Sequence, residues 1–210
     1  MDINNIKLFL FDIDGVLIRL PKYFSSVLQD REFENAALIM NEFYFGSDCK
    51  KCDLGLLDPH EAIKPYLDRI GWQKSPADYL DAQYVYEKDY IDHDLISLIG
   101  KLRNRGYGCY LATNQNAYRW NFLLNELGFE KYFDGWFVSS NLGYLKEKEE
   151  FWELTLYKLK RTYNEIDLKN ILFIDDMQEN VETANRFGLS TFHVGAEESI
   201  NILKSLLREV

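Results

Sequence analysis

The stretch that most constrains this 210-residue chain is Leu8-Phe9-Leu10-Phe11-Asp12-Ile13-Asp14-Gly15-Val16. Ile6 and Leu8 to Phe11 form a short apolar run broken only by Lys7. A run this short and this apolar, stopped by Gly15, predicts a strand buried on both faces, as in a parallel sheet. Asp12 and Asp14 follow at once. Residues two apart in extended chain point the same way, so both carboxylates start on one side of the strand end unless the turn before Gly15 re-aims the second. Two like charges at the end of a buried strand are costly unless a cation or a shared proton offsets them. A helix cap would need only one of them.

The same texture recurs later. Tyr107 to Ala112 predicts a strand that delivers Thr113-Asn114, and Trp136-Phe137-Val138 a short strand followed by Gly143-Tyr144-Leu145-Lys146. Asn170 to Ile174 delivers Asp175-Asp176, and Thr191 to Val194 makes a last strand. Helical periodicity lies between these runs, over 95–102, 118–127, 147–163, 178–187 and 200–207. Strand–helix alternation of this kind predicts an α/β, doubly wound parallel sheet. The segment 16–90 differs. It has helical spacing (Phe33-Ala36-Ala37-Met40, Tyr79-Ala82-Gln83-Tyr86), Gly and Pro punctuation, and an N-terminal helix signal at Asp58-Pro59-His60-Glu61. It predicts some four helices inserted into a core made of 1–15 and 91–210.

In open α/β sheets, ligands bind beyond the carboxyl ends of the strands, where strand order reverses. A chain that winds outward through the Thr113 and Trp136 strands must return on the other side of the first. Asp12, Asp14, Asp175 and Asp176 then crowd one crevice, which a hard cation makes tolerable. Magnesium suits such oxygen ligands. His60, His93 and His193, expected away from these strand ends, argue against zinc.

The formal charge of −10 opposes non-specific nucleic-acid binding, which needs a basic footprint, and argues against an anionic membrane surface. No apolar stretch approaches the roughly 20 residues that span a bilayer. Met1-Asp2-Ile3-Asn4-Asn5 lacks the basic-then-apolar layout of a secretory leader, and three cysteines make no disulfide framework, so a cytoplasmic location is expected. Cys49-x-x-Cys52 has redox or zinc spacing, but no second pair accompanies it. Oligomeric state is not legible.

Taken in order, Asp12-Ile13-Asp14-Gly15-Val16, Leu111-Ala112-Thr113-Asn114, Gly143-Tyr144-Leu145-Lys146 and Ile174-Asp175-Asp176-Met177-Gln178-Glu179-Asn180, with Ala184 and Gly188, form a pattern. It resembles the haloacid dehalogenase-like hydrolase superfamily, in the phosphatase branch whose helical cap is inserted after the first motif. The resemblance implies magnesium as cofactor and a small phosphorylated metabolite as substrate. It implies Asp12 as a nucleophile that forms an aspartyl-phosphate, and Asp14 as acid and then base. Thr113, with Asn114 nearby, would bind phosphoryl oxygens, and Lys146 would neutralise charge on Asp12 and the phosphoryl group. Asp176, helped by Asp175, would hold the metal together with Asp12 and the backbone carbonyl of Asp14. Glu147 stands where the family often has Pro, which keeps Lys148 as an alternative to Lys146. A phosphomutase would use the same two aspartates. A haloacid dehalogenase would need neither magnesium nor Asp14. A phospho-accepting receiver or a silent binding module is the non-enzymatic alternative. Specificity is expected from the inserted segment, with one or two of its aromatics (Tyr23, Phe24, Phe33, Phe43, Tyr44, Phe45, Tyr79, Tyr84, Tyr86) lining the pocket and Arg19, Lys22, Lys50 and Lys51 as candidates to meet an anionic substrate.

Overall fold

The structure, a computed structural model, describes residues 3–210; Met1 and Asp2, part of the stretch weighed above as a leader, lie outside it. Five strands, β1 (Leu8–Phe11), β2 (Gly108–Thr113), β3 (Gly135–Val138), β4 (Ile171–Asp175) and β5 (Ser190–His193), form one sheet in the order β3-β2-β1-β4-β5. Every pairing is parallel. β1 is central and wholly buried, which is why its sequence is continuously apolar rather than alternating. Its pleat divides it. Phe9 and Phe11 pack with Leu111, Leu172 and Ile174 on one face, and Leu8 and Leu10 with Tyr110, Phe137 and Phe173 on the other. Helices α6 (His93–Asn104), α7 (Ala117–Asn125) and α11 (Glu197–Glu209) cover the first face. Helices α9 (Glu149–Thr162) and α10 (Gln178–Arg186) cover the second. The short α8 (Ser139–Leu142) follows β3 directly.

Between β1 and α6 the chain forms five helices: α1 (Phe24–Arg31), α2 (Ala36–Tyr44), α3 (Ser47–Asp53), α4 (Pro59–Ile70) and α5 (Pro76–Glu87). They share a separate apolar cluster that includes Leu28, Met40, Phe43, Ile63, Leu67 and Tyr79. One more helix forms here than periodicity predicts. The extra one is α3, whose sequence Ser-Asp-Cys-Lys-Lys-Cys-Asp carries no apolar stripe and buries little beyond Cys52. Asp58 caps α4 through the amides of His60 and Glu61, with Pro59 at the first helical position, as its sequence predicts. Among the described residues, no helix is long and apolar enough to cross a membrane.

Candidate active site

β1 and β4 are neighbours, and the strand order reverses between them. That places Asp12, the first residue after β1, beside Asp175 and Asp176 at the end of β4. The Asp12 amide extends the ladder by donating to Ile174 O at 2.9 Å. One carboxylate oxygen each from Asp12, Asp175 and Asp176 lies within 4.8 Å of the others.

Lys146 is the only cation inside this cluster among the described residues. Its Nζ lies 2.7 Å from Asp12 Oδ2 and 2.6 Å from Asp175 Oδ2, with its side chain 1% exposed. Burial by itself would lower the Lys146 pKa, but the two carboxylates outweigh it and hold the ammonium above its usual range. Lys148 is exposed, so the structure selects Lys146 for the interior. Two bonds fix its loop: the Lys146 amide donates to Asn114 Oδ1 at 3.0 Å, and Trp152 Nε1 donates to Lys146 O at 2.9 Å. Asp175 also accepts from the Met177 amide (2.7 Å) and from Asn180 Nδ2 (3.2 Å).

Charge in the cluster does not balance. Burial pushes Asp12 well above the ordinary carboxylate range; Lys146 pulls the other way, and Asp175 and Asp14 add to the rise. Burial and the charge of Asp175 bring Asp176 up to about 6. Three carboxylates against one ammonium, all oxygen donors, are what a hard divalent cation would compensate. Histidine takes no part in this donor set. The expectation that the histidines lie away from the strand ends needs correction for His193, since its Nε2 sits 2.9 Å from the backbone carbonyl of Asp176. β5 ends beside β4, and neighbouring strands share a rim.

Asp14 points elsewhere. Gly15 adopts φ +72°, and the amides of Val16, Leu17 and Ile18 all turn back to Ile13 O. This turn aims the Asp14 carboxylate away from the acid trio and into a cavity of about 420 Å³ beneath the inserted helices. There it accepts both ends of the Arg119 guanidinium (2.6 and 2.7 Å) and Gln115 Nε2 (2.7 Å). Burial would raise its pKa; Arg119 outweighs burial and keeps it below the usual value. Arg119 Nη2 also reaches Glu87 Oε2 at 2.8 Å, joining α7 to α5. Thr113 is buried at the end of β2 and accepts from Gln115 Nε2 at 3.3 Å. The Gln115 amide donates to Ser139 Oγ, which in turn donates to the Asp53 carbonyl at 2.6 Å.

Sequence reasoning did not single out Arg119, Gln115, Glu87, Asp53 or Ser139. One signal was present. Arg119 stands in the first turn of α7, where the helix dipole disfavours a cation unless acids offset it. Six of the nine candidate aromatics named above line the cavity (Tyr23, Phe24, Phe43, Tyr44, Phe45 and Tyr84), more than the one or two expected. Several of these rings pack against the helical core on one edge and face the cavity with the other. Lys22, Lys50 and Lys51 pair with Asp30, Glu147 and Asp48. Burial pushes the Cys49 thiol up and that of Cys52 up to about 11, against a thiolate role for this pair.

The profile of the haloacid dehalogenase-like hydrolases matches residues 6–188. A family enzyme from Bacteroides thetaiotaomicron, solved as a magnesium complex, is similar in structure: TM-score 0.69, 25% identity, 94% of this chain and 98% of that one covered. A predicted family hydrolase from Porphyromonas gingivalis gives TM-score 0.69 at 22% identity, with 98% and 99% covered. L-2-haloacid dehalogenase from Xanthobacter autotrophicus gives 0.64 at 15%, with 97% and 88% covered. No curated protein matches the chain in sequence.

Proposed function

Because the chain belongs to the haloacid dehalogenase-like hydrolases, we propose that it is a magnesium-dependent phosphatase acting on the phosphate monoester of a small metabolite. The carrying observation is the acid trio Asp12, Asp175 and Asp176, of which Asp12 and Asp175 pair with a single buried lysine. The magnesium complex of the Bacteroides relative supports the same choice of ion. Asp12, Asp176 and Asp175, with the backbone carbonyl of Asp14, would hold the ion. Bound there, magnesium supplies positive charge to the phosphoryl oxygens and relieves repulsion among the acids.

Asp12 attacks phosphorus through its carboxylate and carries the phosphoryl group as an aspartyl-phosphate. Lys146 neutralises Asp12 and stabilises charge on the phosphoryl oxygens, where phosphoryl transfer needs it. Thr113 and Asn114 orient the group from the adjacent strand end. Asp14 faces the cavity that would hold the leaving group. Once Arg119 releases one of its oxygens, Asp14 takes up a proton from solvent and gives it to the leaving oxygen, and as carboxylate it takes the proton of the water that resolves the intermediate. The sheet with its helices (1–15 and 91–210) supplies this chemistry, and the inserted helices (16–90) form a cap that closes the cavity.

The test is phosphate release from p-nitrophenyl phosphate. Magnesium should support turnover, EDTA should abolish it, and Asp12→Asn should lower kcat by at least about a thousandfold while leaving the circular dichroism spectrum unchanged. Full activity in excess chelator would refute the magnesium assignment. Chloride release from a haloacid without metal would make the chain a dehalogenase instead.

A further inference from the structure

The cavity beneath the helices decides which leaving group the site accepts. It is walled by aromatic rings and opens onto Asp14 and Asp176. Two cations, Arg19 and Arg119, line it among the described residues, and both are engaged. Arg119 serves Asp14 and Glu87. Arg19 serves Glu197 at 2.8 Å and Asp92 at 3.5 Å. Each arginine therefore has its charge offset by two carboxylates.

Several other polar groups of the wall bond one another. Tyr44 donates to Gln83 Oε1 at 2.5 Å, and Gln83 Nε2 donates to Glu87 at 2.7 Å. Two acids are exceptions: Asp176, which belongs to the acid trio, and Asp53. Asp53 accepts an Asn116 backbone amide and a weak contact from Cys49 Sγ at 3.9 Å, and among the described residues it forms no ion pair. A carboxylate has about four acceptor sites. Asp53 therefore keeps acceptor capacity, and a carboxylate that Arg119 offsets only in part, in an enclosed, aromatic-walled space, the setting in which an organic cation binds best.

We infer that the cavity selects phosphate esters whose leaving alcohol carries a protonated amine, with Asp53 as its anchor and the surrounding rings as its walls, and that it rejects esters bearing a second anion. This rests on the phosphatase reading above and extends it to the leaving group. Each acid already in the cavity repels a second anion, and the two arginines that line it are already offset by carboxylates.

The experiment uses three aryl phosphates of matched size: tyramine O-phosphate, para-ethylphenyl phosphate and the para-carboxyethyl analogue. Expected is a kcat/KM for the amine about tenfold above that of the ethyl ester, with the carboxylate ester lowest. In Asp53→Asn the ratio of amine to ethyl ester should fall to within about twofold. A carboxylate ester as good as the amine, or a ratio that Asp53→Asn leaves in place, would overturn the inference. Calorimetric binding of tyramine against para-ethylphenol, in magnesium buffer, needs no turnover. If no ester releases phosphate yet tyramine binds more tightly through Asp53, the phosphatase reading fails and the amine site stands. Equal binding of the two phenols sinks the amine site alone.

Discussion

Replacing Lys146 by Met isolates the central electrostatic claim. The side chains are similar in length and volume, so packing changes little. What disappears is one ammonium lying 2.7 Å from Asp12 and 2.6 Å from Asp175. The three side chains are 1%, 7% and 0% exposed, so water cannot take over the role. Breaking a buried ion pair by removing one partner costs about 3–5 kcal/mol, because a charge is left buried without compensation. At roughly 2–4 °C per kcal/mol for a chain of this size, Tm should fall by about 6–20 °C. The assay is thermal unfolding followed by circular dichroism at neutral pH in chelator. Magnesium should narrow the gap, since it would bind the carboxylates that lost their lysine. Exposed Lys148 is the control, and Lys148→Met should shift Tm by no more than about 2 °C. A Lys146→Met protein melting within about 2 °C of the unmodified chain would refute the reasoning, as would an equal fall in Lys148→Met.

Two further outcomes follow from the same geometry. Gly15 holds φ +72°, and a Cβ there would overlap the Asp176 carboxylate; Gly15→Ala should therefore raise the magnesium concentration for half-maximal turnover by about 10–100-fold, and an unchanged magnesium titration would refute it. Asp53 titrates at about 7, because burial and the charge of Asp14 outweigh the pull of Arg119. Its folded value lies above the unfolded one near about 4, so the stability it contributes is full below that pH and is lost as pH rises through about 7. Between pH 5 and pH 8, Asp53→Asn should then lose less Tm than the unmodified chain, and parallel losses would contradict the assignment.

Much of the fold was legible because each strand is written locally. A run of apolar residues closed by Asp12, Thr113 or Asp175 needs no distant information to be recognised. The order of the strands followed from the need of a doubly wound chain to return beside β1, and the acid trio at the switch point came with it. Among the five inserted helices, α2, α4 and α5 were legible from an apolar spacing or a cap, whereas α1 and α3 carry no side-chain cap and were not singled out.

What the amino-acid order determined by itself is the set of groups delivered to one rim of the sheet, because strand ends and the turns after them are short-range features. Only the tertiary structure decided how those groups are shared. Lys146 rather than Lys148 enters the interior because the Asn114 and Trp152 bonds fix its loop. Asp14 stands apart from the acid trio because the Gly15 turn swings it toward Arg119, 105 residues away. Arg119 meets Glu87 only because α5 descends over α7, and Asp53 forms no ion pair among the described residues because Arg119 is turned to Asp14 and Glu87. Pairings across such sequence distances leave no local trace, since charge compensation depends on where the packed helices come to rest.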